Sequence, residues 1–434
     1  MNTTKLLFTL AIVFISLLAV LYLVTNVSLP GKSGPTVASK TELTYWGINL
    51  PVEVIQPLIT EYEKNNPNVL IKYERKSYDD LTDYKKLLAE KLRSGEGPDI
   101  FRIHATWSPF LSSEMAINTS VSKKDFESTF YRAYRGQCII NEEVKCIPIM
   151  YDGLALAYNK DLFEFAGVGA PVTWDDFRNA AMRVTRKDRK GDIVIAGAAI
   201  GSTNNVANYS DIISLMLAQS NIKIPDTIDS ETAVEVISYY MNFSRVDDVW
   251  SDVLPDSIGA FAEGKVGMVF VKSSDLKTIL NLNPSMNLAV IPVPQLPLSE
   301  GGTTRLTIAS SFVETVSTDL SKDEQKLAWD FVNWMSLPEQ QTKMFNEYSK
   351  YANFGEISSV KANDSSTKSN EYLQGFIEYA DSSSHSYFTT NSGNKEFVDV
   401  FNNLALAIDE NDSSLYKIFS AEKEKIRSLF RTGF

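Results

Sequence analysis

The sequence constrains the fold most strongly through a regular alternation of strand-like and helix-like segments. Residues 43–46 resemble a short strand, and apolar residues then recur at helical spacing over residues 52–62. Asn66-Pro67-Asn68 ends that helix, and apolar residues alternate over 69–73 as the next strand. Strands that alternate with helices form a largely parallel sheet covered on both faces. The pattern therefore predicts an α/β protein.

The same alternation continues along the rest of the chain. Further strands are predicted over residues 99–103, 193–200, 268–270 and 290–294, and helices over residues 81–92, 209–219, 231–243, 323–335, 397–408 and 414–430. A chain of 434 residues is longer than the chains that usually fold around a single hydrophobic core. We therefore expect two compact domains after an N-terminal segment.

The N-terminal segment contains an apolar run over residues 6–24 that carries no charge. A run of about nineteen apolar residues is long enough to cross a bilayer as a helix. Lys5 precedes the run and the next cation is Lys32, so the positive-inside rule places the N-terminus in the cytoplasm and the body outside. A cleaved signal peptide is the alternative, although no A-x-A site follows. Residues 1–27 are thus predicted to be an anchor or signal, and residues 28–40 a flexible linker.

The body is acidic, and its cysteines are few. The formal net charge of −12 argues against nucleic acid as a partner. Cys138 and Cys146 flank a predicted hairpin with its turn at residues 141–143, and facing hairpin positions can satisfy disulfide geometry. An extracytoplasmic location would allow oxidation. Two unrelated thiols are the alternative.

The stretch Ile147–Phe177 (IPIMYDGLALAYNKDLFEFAGVGAPVTWDDF) combines a strand containing proline, an Asn-Lys-Asp helix start and a Thr-Trp-Asp-Asp helix start. Three other motifs accompany it in order: Tyr-Trp-Gly at 45–47, Ser-Gly-Glu-Gly-Pro-Asp-Ile at 94–100, and Ala-Phe-x-x-Gly-Lys-Val-x-Met at 260–268. A late Ala-Trp-x-Phe helix follows. This series resembles the extracellular solute-binding proteins of ABC importers, the class that contains the maltodextrin-binding proteins. The chain departs from that pattern in lacking a lipoprotein cysteine and in carrying the Cys-Cys hairpin.

The resemblance implies a two-lobed, periplasmic-binding-protein-like fold of class II. We expect an N-lobe formed by residues 41–150 plus 295–350 and a C-lobe formed by residues 151–294 plus 351–434. The chain would cross between the lobes near Met150, near residues 292–294 and near Tyr351, which favours hinge bending. The resemblance also implies a monomer that binds its ligand in the interlobe cleft and presents it to an ABC permease, without a cofactor.

Aromatic, amide and carboxyl side chains at the predicted strand ends favour a neutral sugar or oligosaccharide, because a sugar has an apolar ring face and a polar rim. Strand-end position or the resemblance selects these candidate ligand-binding residues: Trp46, Tyr78, Thr106, Trp107, Tyr151, Asp152, Asn205, Tyr209, Trp250, Lys272, Arg305 and Phe312. For the tryptophans the alternative is a place in the core. For Asp152 it is a hinge or capping role, and His104 is predicted to be structural.

No motif for catalysis is present. The chain has two histidines, and it contains no H-E-x-x-H, G-x-S-x-G, P-loop or G-x-G-x-x-G motif. We therefore predict a binding protein without a metal site. Two alternatives stay open: a surface glycan-processing enzyme that uses Asp152 and a second acid, and a receptor that passes its ligand to a sensor kinase.

Overall fold

A computed structural model describes residues 40–410 and 414–432. Within these ranges no helix has both the length and the apolar character needed to span a membrane. The predicted anchor at residues 1–27, and the linker up to residue 39, lie outside the described residues.

The described elements are mostly short strands and medium-length helices. The strands are β1 Thr41–Ile48, β2 Val69–Lys76, β3 Ile100–His104, β4 Ile139–Ile140, β5 Glu143–Val144, β6 Ile147–Pro148, β7 Met150–Tyr151, β8 Ala155–Asn159, β9 Arg186–Lys187, β10 Ile193–Ile195, β11 Met268–Val271, β12 Leu288–Ile291, β13 Ile308–Ala309, β14 Phe312–Val316, β15 Ile357–Ser358 and β16 Ser384–His385. The α-helices are Val52–Asn65, Leu81–Arg93, Lys123–Thr129, Arg135–Cys138, Lys160–Ala166, Trp174–Val184, Tyr209–Gln219, Glu231–Arg245, Ser257–Ala262, Ser273–Leu282, Lys322–Met335, Pro338–Ser349, Asp364–Lys368, Gln374–Ile377, Lys395–Asp409 and Leu415–Thr432.

The first sheet contains five strands in the order β2-β1-β3-β14-β6. β1 pairs in parallel with β2 and β3, as the alternation predicted, whereas β14 runs antiparallel to both β3 and β6. Leu43, Tyr45 and Ile48 of β1 are fully buried. The helices Val52–Asn65 and Lys322–Met335 pack beside this sheet through their apolar faces.

The second sheet contains three strands in the order β11-β8-β12, both outer strands running antiparallel to β8. The strand predicted over residues 193–200 is wrong in extent, because β10 ends at Ile195. A Cβ atom on Gly197 would lie 1.7 Å from the carbonyl oxygen of Ala181, so the backbone passes directly against a helix there. Residues 198–200 are buried without forming a strand.

The stretch 147–177 confirms its predicted helix signals. Asn159 accepts a hydrogen bond from the Leu162 amide at 3.1 Å, and the helix Lys160–Ala166 ends at Gly167 with φ of 62°. Thr173 and Asp176 form a capping box. The single strand expected before them is instead divided into β6, β7 and β8, because each pairs with a different partner.

Short strand pairs join distant parts of the chain between the two sheets. β7 pairs with β15, and β13 pairs with β16. The C-terminal segment therefore returns to the connection near Met150 at residues 357–358, a few residues after Tyr351. The helix Lys395–Asp409 packs on Tyr209–Gln219 and Glu231–Arg245.

The cysteine hairpin is confirmed. β4 and β5 are antiparallel and are joined by Asn141 and Glu142, whose φ values of 52° and 68° are both positive. Cys138 and Cys146 form a disulfide across its base.

Candidate functional site

A polar cavity of about 260 Å³, here called the inner cavity, lies between the two sheets. Arg102 of β3 and Phe312 of β14 contribute from the first sheet, and Lys272 contributes from the end of β11 in the second. Asp152 lies on the connection between them. The cavity thus collects side chains from strand ends, where open α/β sheets usually bind ligands.

Asp152 holds the start of the helix Ser273–Leu282. Its Oδ1 accepts hydrogen bonds from the amides of Gly153 at 2.8 Å and Ser273 at 3.1 Å, and its Oδ2 accepts from the Ser273 hydroxyl at 2.8 Å. The pKa of Asp152 is raised to about 7, mainly by burial and to a smaller extent by the nearby carboxylate of Glu356. The capping role agrees with these contacts, and the same carboxyl group lines the cavity.

Each cation around the inner cavity has an acidic partner in the protein. The Lys272 ammonium lies 3.0 Å from Asp211 Oδ1, and Arg102 Nη1 lies 2.9 Å from Glu314 Oε1. Glu356 is in turn paired with the nearby Lys277 at 2.9 Å. Because these positive charges are already neutralised, the cavity favours an uncharged ligand over an anion.

Aromatic rings supply apolar surfaces beside this polar rim. Phe312 is half-buried and packs edge-on against the His104 ring, with centroids 5.5 Å apart. Tyr348 is also half-buried, and the Lys277 ammonium lies 4.2 Å from its ring centroid. Partly exposed rings beside hydrogen-bonding groups suit the two kinds of surface on a sugar.

A larger cavity of about 730 Å³, here called the outer cavity, lies next to the inner one. Tyr78 and Tyr209 line it, together with acidic residues at the start of the helix Leu81–Arg93. Burial raises the pKa of the Tyr209 hydroxyl to about 12. Four residues line both cavities: Asn49, Ser274, Thr390 and Asn391.

Residues 50–342 match the family model described as bacterial extracellular solute-binding protein. The chain belongs to this family. The family consists of binding proteins rather than enzymes, and neither the glycan-processing enzyme nor the kinase-coupled receptor finds support.

Two curated relatives are similar to this solute-binding protein. The multiple sugar-binding protein of Streptococcus mutans is 22% identical over 330 residues, which cover 73% of this chain and 76% of that protein. The melibiose/raffinose/stachyose-binding protein of Bacillus subtilis is 21% identical over 356 residues, which cover 76% and 78%.

A solved structure shares the fold. The cyclic alpha-maltosyl-1,6-maltose binding protein from Arthrobacter globiformis superposes with a TM-score of 0.71 at 17% identity, covering 91% of this chain and all of that one (100%). The two-lobed architecture of this solute-binding protein is therefore shared at low sequence identity.

Six of the predicted ligand-binding residues line the two cavities. Tyr151, Asp152, Lys272 and Phe312 lie at the inner cavity, and Tyr78 and Tyr209 lie at the outer one. Tyr151 contributes little surface because its ring is fully buried. Their joint placement follows from strand ends that meet between the sheets.

Neither Thr106 nor Trp107 lines either cavity. Trp107 is fully buried, and its indole N–H donates to the Ser392 carbonyl at 2.7 Å. Thr106 is also buried, and its hydroxyl accepts from the Asn394 amide at 2.8 Å. His104, with hydrogen bonds to Thr106 and Ser310, fits the structural role predicted for it.

Four other candidates have partners elsewhere. Trp250 is fully buried and donates to Asn205 Oδ1 at 2.8 Å, which makes these two residues a packing pair. Arg305 lies 3.6 Å from Glu378 on the surface. Trp46 lies beneath the Lys76 ammonium, 3.8 Å from the ring centroid.

Sequence reasoning missed Arg102, Tyr348, Glu356 and Asn391 at the inner cavity. Arg102 carried a usable signal, since a cation inside the apolar strand Ile100–His104 must find a buried partner. Tyr348 and Asn391 carried none, because tertiary contacts bring them to the site. Within residues 40–410 and 414–432, no group of three or more His, Cys, Asp or Glu side chains could hold a metal ion.

Proposed function

We propose that this protein is the extracytoplasmic receptor of an ABC importer and binds a neutral sugar or oligosaccharide between its lobes. One observation carries the proposal: the inner cavity combines the half-buried rings of Phe312 and Tyr348 with polar groups whose cations are already paired. The two curated relatives bear the names of sugar-binding proteins, which supports the same ligand class.

We place the N-lobe at residues 41–150 plus 295–350 and the C-lobe at residues 151–294 plus 351–434. The strands of the first sheet all fall within the N-lobe ranges, and those of the second sheet fall within the C-lobe ranges. The β7–β15 pair lies at the boundary and would act as part of the hinge. Closure would then be an equilibrium shift set by the ligand's higher affinity for the closed state.

The proposed receptor is a monomer held at the outer face of the membrane by an apolar helix over residues 6–24. The uncharged run and the position of Lys5 support this anchor, and the family supports the extracytoplasmic location. Its protein partner would be the transmembrane permease of the importer.

Among the candidate residues, we assign ligand contact to Asp152, Lys272 and Phe312, with the buried Tyr151 beside them. Tyr78 and Tyr209 line the outer cavity next to this contact site. Phe312 offers the apolar surface, while Asp152 and Lys272 offer hydrogen-bonding groups at the rim. Each of these polar groups keeps a protein partner that preserves its position. A preorganised site of this kind loses little entropy on binding.

A thermal-shift screen of the full-length chain tests the proposal. Saccharides, amino acids and polyamines are compared, and a neutral saccharide is expected to raise the melting temperature because it binds only the folded state. A shift with amino acids or polyamines alone would contradict the proposal.

The site is tested with Phe312→Leu, which keeps an apolar side chain but removes the aromatic surface. We expect a loss of at least about tenfold in sugar affinity, or ~1.4 kcal/mol. The matched control is Phe165→Leu, since Phe165 is 79% exposed and lines neither cavity. Equal affinities for both variants would remove Phe312 from the site.

A further inference from the structure

Residues 389–394, here called the cleft strap, follow β16 and contact the N-lobe side of the cleft. The Ser392 carbonyl accepts the indole N–H of Trp107, and Asn394 bonds to Thr106. Lys85 Nζ donates to Asn394 Oδ1 at 3.0 Å. These contacts are buried, so the strap is packed against this side rather than lying over it.

The same strap is held on the C-lobe side through Thr390. Its amide and hydroxyl donate to Asp211 Oδ2 at 2.9 and 2.8 Å. Its carbonyl accepts from Lys272 Nζ at 2.8 Å, and Lys272 also pairs with Asp211. The strap therefore bridges both sides of the cleft, and displacing it breaks charge-assisted hydrogen bonds on at least one of them.

The strap also stands at the junction of the two cavities. Thr390 and Asn391 line both, facing Asn49 and Ser274, and we call these four residues the neck. The Asn391 side chain is exposed at this point. Its φ of 57° is left-handed, a conformation that asparagine and glycine tolerate.

We propose that the cleft strap selects ligand size, so that this receptor takes a ligand of about one sugar ring in the inner cavity and excludes longer chains at the neck. The inference rests on the proposed function. An inner cavity of about 260 Å³ is slightly smaller than the usual range of ligand sites, which is roughly 300–1,000 Å³. A longer saccharide that extends from the inner into the outer cavity lies against these four polar residues, two of which belong to the strap.

Calorimetric titration of the full-length chain with saccharides of increasing length tests this selection. Galactose, melibiose, raffinose and stachyose form one series, and glucose, maltose and maltotetraose form another. Within each series, we expect the shortest saccharide that binds to have the highest affinity. Affinity that rises with length overturns the size selection and leaves the sugar receptor intact, whereas no binding by any saccharide overturns the proposed function together with this inference.

The variant Asn391→Gly widens the neck without straining the backbone, because glycine accepts the same positive φ. We expect the ratio of the affinity for longer saccharides to the affinity for the shortest one to rise at least about tenfold. Asn221→Gly is the matched control, since Asn221 is exposed with φ of 58° and lines neither cavity. Identical length profiles for both variants and the unaltered protein would overturn the role of Asn391 in the neck.

Discussion

Replacing Asp152 by asparagine is expected to change how the stability of the protein depends on pH. The carboxyl group lies in the inner cavity, where burial and then Glu356 raise its pKa from 3.8 to about 7. Asparagine has the same shape and can keep the hydrogen bonds from the Gly153 and Ser273 amides. The Ser273 hydroxyl can rotate to accept from the new amide group. The variant therefore removes the titration and leaves the geometry largely intact.

The raised pKa determines whether the free energy of unfolding rises or falls with pH. The folded state holds the Asp152 proton more tightly than the unfolded state, so this carboxyl contributes most to stability below about pH 4. That contribution is lost as pH rises from about 4 to about 7, and it is constant above. Each pKa unit corresponds to about 1.36 kcal/mol, which gives an upper limit of about 4 kcal/mol. Because Asp152 keeps part of its surface exposed at the cavity, about 2 kcal/mol is the expected change.

The assay is urea unfolding of the unaltered protein and of Asp152→Asn from pH 4 to pH 8.5. At each pH, the free energy of unfolding of the variant is subtracted from that of the unaltered protein. The subtraction cancels other buried groups, including His385, whose pKa burial lowers to about 4 and whose effect has the opposite sign. We expect the unaltered protein to lose about 2 kcal/mol relative to Asp152→Asn over this range. A constant difference would refute the proposed state of Asp152, as would a gain for the unaltered protein.

Three further predictions concern stability. Cys138→Ser, which removes the disulfide to Cys146, should lower the free energy of unfolding by about 2–3 kcal/mol in the chain-entropy model, and a reducing agent should then have no further effect in denaturant titrations. Arg102→Met should cost about 3–5 kcal/mol because it leaves Glu314 buried without its cation, and the double variant Arg102→Met/Glu314→Leu should recover part of that loss. Trp250→Phe should destabilise by about 1–3 kcal/mol in thermal or urea unfolding while sugar affinity, measured by calorimetry, stays within about twofold.

The sequence predicted elements well where the signal was local. Asn159 and Thr173 mark helix starts through their own side chains, and the helix Tyr209–Gln219 has the predicted bounds. The strand at residues 193–200 was overestimated because its end depends on a close contact between Gly197 and a helix distant in sequence. Apolar composition alone does not report such a contact.

The site was only partly predictable for a related reason. Strand ends can be located from the sequence, which explains why Asp152, Lys272 and Phe312 meet at one cavity. Whether an aromatic ring at a strand end stays open depends on what covers it, and Trp107 is covered by a strap nearly three hundred residues later (a separation of 285 to its partner Ser392). Trp250 is likewise fully buried, and its indole N–H donates to Asn205 Oδ1.

A crystal structure of the protein in complex with the best-binding saccharide would show directly where the ligand lies. We expect density for one sugar ring in the inner cavity, with its apolar face toward Phe312 or Tyr348 and its hydroxyl groups toward Asp152 and Lys272. A sugar bound only in the outer cavity, or on the surface with the inner cavity holding water alone, would contradict it.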